Sequence, residues 1–190
     1  IVSLVLELQY GGSHAAGAAL AFLWYVLLAR PELAQRLRDD LAASPDEGDP
    51  PLVDAVINET LRLFPRAPII NRTPKIPLDL GGLRIRPGDF VIVSPWVVHR
   101  HERLWDRPND FDPSRFLTAQ GARPPRDRFI PFGVGARGCL SEHLSRALMR
   151  SGLKHFLTLG PLRLRDPSQV GLHLTGSTLS LTPALKAERA

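Results

Sequence analysis

The apolar and polar positions along the chain predict a helical first third, a middle of short extended pieces, one further helix and a strand-rich tail. From Leu8 to Ala29 there is no formal charge over 22 residues, and residues 15–29 are clearly apolar. This predicts one long helix over residues 1–29, interrupted locally by Gly11, Gly12 and Gly17. Its length would allow a bilayer crossing, which needs about 20 apolar residues. Gln9, the glycine pair, Ser13 and His14 weaken its first third, so a buried core helix is the better reading. Pro31 is well placed to open a second, amphipathic helix through about Ala43. Residues 44–51 form a polar loop, and a third helix over residues 52–64 stops at Pro65.

Extended pieces follow at residues 68–72 and 90–94, and Gly81-Gly82 joins residues 78–80 to 83–85 as a hairpin. Residues 97–131 are proline-rich and lack long periodicity, which inside a compact domain is unusual. An amphipathic run at 140–157 predicts another helix, and residues 162–164 and 172–181 read as short strands. There is no internal repeat.

Composition adds bounds. At 190 residues, 44% hydrophobic and 23% charged, the chain suits one globular domain with a sizeable core. A single cysteine excludes an intramolecular disulfide framework and fits a reducing, cytoplasmic compartment. The chain opens on a helix-like run and not on a basic segment, so no secretory signal is expected. Charge is uneven: residues 1–60 hold nine acids and three bases, residues 61–190 ten acids and 21 bases. Such a bias suits nucleic acid, an acidic protein or an anionic cofactor. Arginine supplies 21 of the 24 bases, and its fork matches carboxylates better than lysine does.

The candidate chemistry centres on Phe132-Gly133-Val134-Gly135-Ala136-Arg137-Gly138-Cys139. Its glycines allow turns that residues with a Cβ resist. A helix predicted directly afterwards places the sulfur near a helix N-terminus, where a thiolate is favoured over a thiol. Taken alone, Cys139 reads as a buried free thiol. With the aromatic, the glycines and the cation it suits a soft metal ligand.

The loop resembles the haem-binding loop of the cytochrome P-450 family, Phe-x-x-Gly-x-Arg-x-Cys-x-Gly, through Phe132, Gly135, Arg137 and Cys139. Ser141 stands where glycine is usual. Glu59-Thr60-Leu61-Arg62-Leu63-Phe64-Pro65 resembles the helix that the family places before that loop. Spacing alone makes Glu59 and Arg62 an ion pair worth about 0.2–0.5 kcal/mol; the resemblance implies a buried network joined by Arg115. Arg72 matches a position directed at a haem propionate, its alternative being an ordinary strand cation. His99 reads as a satisfied structural histidine or a propionate contact.

The resemblance implies a mainly α fold with small β-sheets, the C-terminal haem-binding half of the family's fold. Residues 1–190 are then a partial domain that lacks the N-terminal half, a fragment or truncated product. It implies a haem-dependent monooxygenase inserting one oxygen atom from dioxygen into a small apolar organic substrate. Cys139 would be the axial ligand of haem b, iron protoporphyrin IX, with Arg72, Phe132, Gly133, Gly135 and Arg137 around the cofactor. Electrons would come from NAD(P)H through an acidic ferredoxin or flavoprotein. Arg146, Arg150 and Lys154 recur every fourth residue, as a solvated face or a docking patch for that donor. Neither nucleic acid nor a membrane span is expected.

The distal helix departs from the family's Ala/Gly-Gly-x-acid-Thr: Gly11, Gly12, Ser13, His14 and Ala15 occupy those places. His14 takes the place of the acid, whereas Ala15 has no exchangeable proton. Ser13 is turned about 200° away from Ala15 on a helix. The alternatives are a peroxide-using haem-thiolate enzyme, or a truncated haem-binding or interaction protein without oxygenase activity.

Overall fold

The computed structural model describes residues 2–43, 48–118, 121–122, 127–175, 178–182 and 185–189. Helix α1 spans Val2–Leu28, α2 Pro31–Ala43 and α3 Pro51–Leu63. The single-turn α4 covers Pro95–Val98, and α5 covers Glu142–Thr158. Prolines open α2 and α3, where a missing N–H costs nothing and φ is already helical. Pro65 follows the end of α3, since the residue before a proline is pushed out of the helical region.

The core is where α1, α3 and α5 meet. Leu23 and Leu27 of α1, Val53, Val56 and Ile57 of α3, and Leu153 and Phe156 of α5 are buried there in one cluster. Gly152 sets the approach of α1 to α5: a Cβ at this position would lie 2.3 Å from Leu20 Cδ2. Its carbonyl accepts from Trp24 Nε1 at 3.2 Å. Helix α3 is buried on nearly every side from Leu52 to Leu63, polar residues included, which makes it the central element.

Among the described residues the strands form two-stranded antiparallel sheets. Strand β1 (Ile70–Arg72) pairs with β4 (Val91–Val93), bringing Arg72 opposite Val91. Strands β2 (Leu78–Leu80) and β3 (Leu83–Ile85) form the hairpin expected around Gly81-Gly82, whose positive φ angles suit glycine. Strands β5 (Leu117–Thr118) and β6 (Gly121–Ala122) pair next, and β7 (Leu162–Leu164) pairs with β10 (Ala187–Arg189). In the tail, read from the sequence as short strands, β8 (Gly171–Thr175) pairs antiparallel with β9 (Thr178–Thr182). The fold is therefore mainly helical with small sheets, as expected. No single helix among the described residues is long and apolar enough to cross a membrane, and Phe22, Leu23, Val26 and Leu27 of α1 are almost wholly buried.

The face of Arg146, Arg150 and Lys154 is partly solvated and is paired within the chain: Lys154 is exposed, and Arg146 and Arg150 are half-buried. Arg146 donates to Glu142 Oε1 at 2.9 Å and Asn58 Oδ1 at 2.8 Å. Arg150 grips Asp54 with two bonds of 2.7 and 2.9 Å, and Lys154 Nζ lies 2.9 Å from Asp49. The period of four marks a face whose partners, the Asn58 amide and the Asp54 and Asp49 carboxylates, lie 88, 96 and 105 residues upstream.

Candidate active site

Glu59 and Arg62 project from consecutive turns of α3 and are fully buried. Arg62 uses all five of its N–H groups. Nε and Nη2 donate to Glu59 Oε2 and Oε1 at 2.6 and 2.7 Å. Nη1 donates to the carbonyls of His99 and Pro108 at 2.7 and 2.6 Å, and Nη2 also to that of Asp110 at 3.0 Å. Arg115 reaches Glu59 Oε1 at 3.1 Å and the Asp106 carbonyl at 2.8 Å. The Asp112 amide donates to the same carboxylate at 2.8 Å. Two arginines and one glutamate thus satisfy backbone groups that an irregular segment would otherwise bury unpaired. This is how residues 99–115 remain ordered with little regular structure.

His99 is buried in this network and does not border the cavity described below. Its place is structural, so the propionate contact considered from sequence is set aside.

The cysteine loop leaves the network through Phe129 and Ile130. The Gly133 amide donates to the Ile130 carbonyl at 3.1 Å, and the Cys139 amide closes the loop on Phe132 at 2.9 Å. Gly133 and Gly135 adopt φ of 71° and 70°, a region that side chains with a Cβ resist. The amides of Gly133, Gly138 and Cys139 all donate to carbonyls, so they are not directed at sulfur. Helix α5 begins at Glu142, three residues past Cys139, with Ser141 at its N-cap. The Ser141 side chain makes no cap bond; its Oγ lies 3.4 Å from Cys139 Sγ. The thiol is exposed.

A cavity of about 290 Å³ opens between these elements. Helix α1 contributes Ala15, Ala16 and Ala19, and the segment after α3 contributes Arg66, Ala67, Ile70 and Arg72. The loop contributes Phe132, Gly133, Arg137, Cys139 and Ser141. Gly135 shapes the loop without bordering the space. Arg72 Nη1 donates to the Asn71 carbonyl at 2.7 Å.

His14 turns elsewhere. Its Nδ1 lies 3.1 Å from Arg66 Nη2, and Arg66 Nη1 donates to the Leu179 carbonyl at 3.2 Å, tying α1 to β9. Of the two altered distal positions, Ala15 borders the cavity and His14 does not. The side chain of Ser13 lies outside the described ones. Arg66 went unnoticed in the sequence because its partners stand 52 and 113 residues away.

A family model described as Cytochrome P450 matches residues 1–181. The chain belongs to the cytochrome P450 family. Among curated cytochromes P450, it is 29% identical to Cytochrome P450 3A29 of Sus scrofa over 90% of this chain and 36% of that protein. It is 33% identical to Cyclooctatin synthase of Streptomyces melanosporofaciens over 73% of this chain and 32% of that one. Pentalenene oxygenase of Streptomyces avermitilis is 31% identical over 75% and 33% respectively. The solved cytochrome P450 CYP102L1 superposes with a TM-score of 0.81 at 25% identity, covering 97% of this chain and 44% of that one. CalO2 superposes at 0.75 with 26% identity, over 98% and 42%. The chain therefore spans about a third of the length of these curated relatives. Its fold is that of the corresponding part of a cytochrome P450.

The cofactor that this family implies is haem, and the residues fit it. Among the described residues no three His, Cys, Asp or Glu side chains cluster to hold a bare metal ion. A lone thiol beside an open cavity suits instead a metal that brings its own planar ligand. Three arginines, Arg66, Arg72 and Arg137, border the same space; Arg66 is bonded to His14 and Leu179, while Arg72 and Arg137 suit a dianionic edge. The alanines of α1 leave room where larger side chains would fill it.

Proposed function

We propose that this chain forms the haem-thiolate part of a monooxygenase acting on a small apolar organic substrate. The observation that carries the reading is one cavity bordered by the Cys139 thiol, three arginines and an alanine wall. Haem held by a cysteinate supplies electron-rich iron that favours cleavage of the dioxygen O–O bond. Cys139 would hold the iron as a thiolate, and the hydrogen bond from its amide to the Phe132 carbonyl fixes the loop from which it projects. Arg72 and Arg137, which border the cavity, would pair with the cofactor's carboxylates. Ala15, Ala16 and Ala19 give the opposing helix an apolar surface that favours an apolar substrate and disfavours water. One oxygen atom enters the substrate and the other leaves as water, which consumes two electrons and two protons. NAD(P)H supplies the electrons through an acidic ferredoxin or flavoprotein, for which the excess of bases after residue 60 is the attraction. Arg146, Arg150 and Lys154 are each paired within the chain, so a donor docking there would compete with Glu142, Asp54 and Asp49.

A specific observation favours a second reading. Ala15 borders the cavity and has no proton to relay, and His14 is bonded to Arg66. Hydrogen peroxide already carries the protons and electrons that dioxygen must acquire, so a peroxide-driven cycle suits these positions. Haem titration followed by turnover on NAD(P)H with a ferredoxin, and separately on peroxide, tests both readings. Stoichiometric haem without oxygenated product under either condition would leave only a haem-binding protein.

A further inference from the structure

Among the described residues the hydrogen bonds of the Glu59–Arg62 side chains do not reach the Cys139 loop, yet His99 is bonded both to Arg62 and to the base of that loop. His99 is wholly buried, and its two ring nitrogens face different elements. Nδ1 lies 3.0 Å from the Arg62 carbonyl, and Nε2 accepts from the Ile130 amide at 2.9 Å. We propose that His99 is the positioning residue through which the buried Glu59–Arg62 pair sets the base of the cysteine loop. This deepens the haem-thiolate reading and rests on it.

The two neighbours fix the state of the ring. A carbonyl only accepts, so Nδ1 carries the hydrogen; an amide N–H only donates, so Nε2 is bare. The imidazole is therefore neutral and held in one tautomer. Arg62 answers from its other end, since its Nη1 donates to the His99 carbonyl at 2.7 Å. Side chain and backbone of the two residues are thus bonded reciprocally. The ring stacks on Phe129 at 5.4 Å and meets Trp105 edge-on at 6.5 Å, which leaves it little freedom to rotate.

Ile130 is where this restraint enters the loop. Its N–H is held by His99 and its carbonyl by the Gly133 amide, so both faces of the turn are fixed. The next bond on, Cys139 amide to Phe132 carbonyl, closes the segment that presents the sulfur. The charged groups facing the imidazole are Arg62 and Glu59 from α3, Arg100 from the residue after it, and Arg128 beyond Trp105. Burial, with repulsion from Arg62 and Arg100, lowers the pKa of His99 to about 4. The neutral form required by the geometry therefore persists at physiological pH.

His99→Phe keeps the aromatic stack and removes both polar contacts, whereas His99→Gln retains one donor and one acceptor. Hydrogen exchange is measured by mass spectrometry on each haem-loaded protein, together with the Soret band of the reduced carbon monoxide complex. The expected result for His99→Phe is exchange at Ile130 and Cys139 at least about tenfold faster, the factor for one net hydrogen bond. Amides inside α5 should change less, the thiolate band should shrink, and His99→Gln should lie closer to the native protein. Equal acceleration at all amides, or none in the loop, overturns the proposal. Should His99→Phe not fold, the native carbon monoxide complex decides by nuclear magnetic resonance. An unprotonated Nε2 coupled to the Ile130 amide upholds the proposal; a protonated Nε2 overturns it. Failure of the haem reading is separate, since the native protein would then show no thiolate band at all.

Discussion

Glu59 and Arg62 meet through two parallel bonds across one helical turn, 2.6 Å from Nε to Oε2 and 2.7 Å from Nη2 to Oε1. Neither side chain is exposed to water. An exposed pair at this spacing contributes under about 1 kcal/mol. Loss of the carboxylate here would instead strand Arg62 and part of Arg115 without their anion. Glu59→Ala should therefore destabilise the protein by about 3–5 kcal/mol. Urea unfolding checks this, with haem content measured alongside; a loss below about 1 kcal/mol would place the pair among surface bridges.

Acid should weaken the same region. The pKa of His99 is lowered in the folded state from 6.5 to about 4, so between these values the unfolded chain binds the extra proton. Its contribution is fully present above pH 6.5 and is lost as pH falls towards 4. Between pH 7 and pH 5 this amounts to about 2 kcal/mol. Asp112 acts in the same direction at lower pH, since bonding to Ser114 holds its carboxyl below the usual range. Urea unfolding at the two pH values should show the drop in the native protein and a smaller one in His99→Gln.

The pattern of the chain made the helices legible, and the resemblance made the cysteine loop so, because both are local signals. The standing of Glu59 and Arg62 was not local. Three-residue spacing describes a weak surface pair, and burial follows only when the carbonyls of residues 99–110 fold over it. Arg146, Arg150 and Lys154 show the converse. Their period fixed a common face, but only the structure supplies Asn58, Asp54 and Asp49 opposite it. His14 escaped for a similar reason, since Arg66 has no sequence relation to it that periodicity can reveal.

Ala15 bears on proton delivery. Ala15→Thr would place a hydroxyl on the cavity wall that α1 provides. Product formed per NAD(P)H consumed should rise, by up to about tenfold if general acid–base assistance had been limiting. Turnover on peroxide should change less. Equal effects on both would remove any special role of position 15 in dioxygen use.

Ser141 bears on the sulfur. A thiolate cannot donate, so across the 3.4 Å to Cys139 Sγ the Ser141 hydroxyl must be the donor. Such a bond withdraws charge from sulfur and favours reduced iron. Ser141→Gly should lower the iron reduction potential by up to ~59 mV, a tenfold change for one electron. Stability should fall by only about a few tenths of a kcal/mol, since glycine is tolerated at an N-cap and the serine makes no cap bond here. Spectroelectrochemical titration of the two proteins checks the shift.

The central claim is that Cys139 ligates haem iron, and the reduced carbon monoxide spectrum addresses it most directly. The haem-loaded native protein should show the red-shifted Soret band of a thiolate haem, and Cys139→Ser should lose it. A native spectrum without that band, or one that survives Cys139→Ser unchanged, would contradict the account.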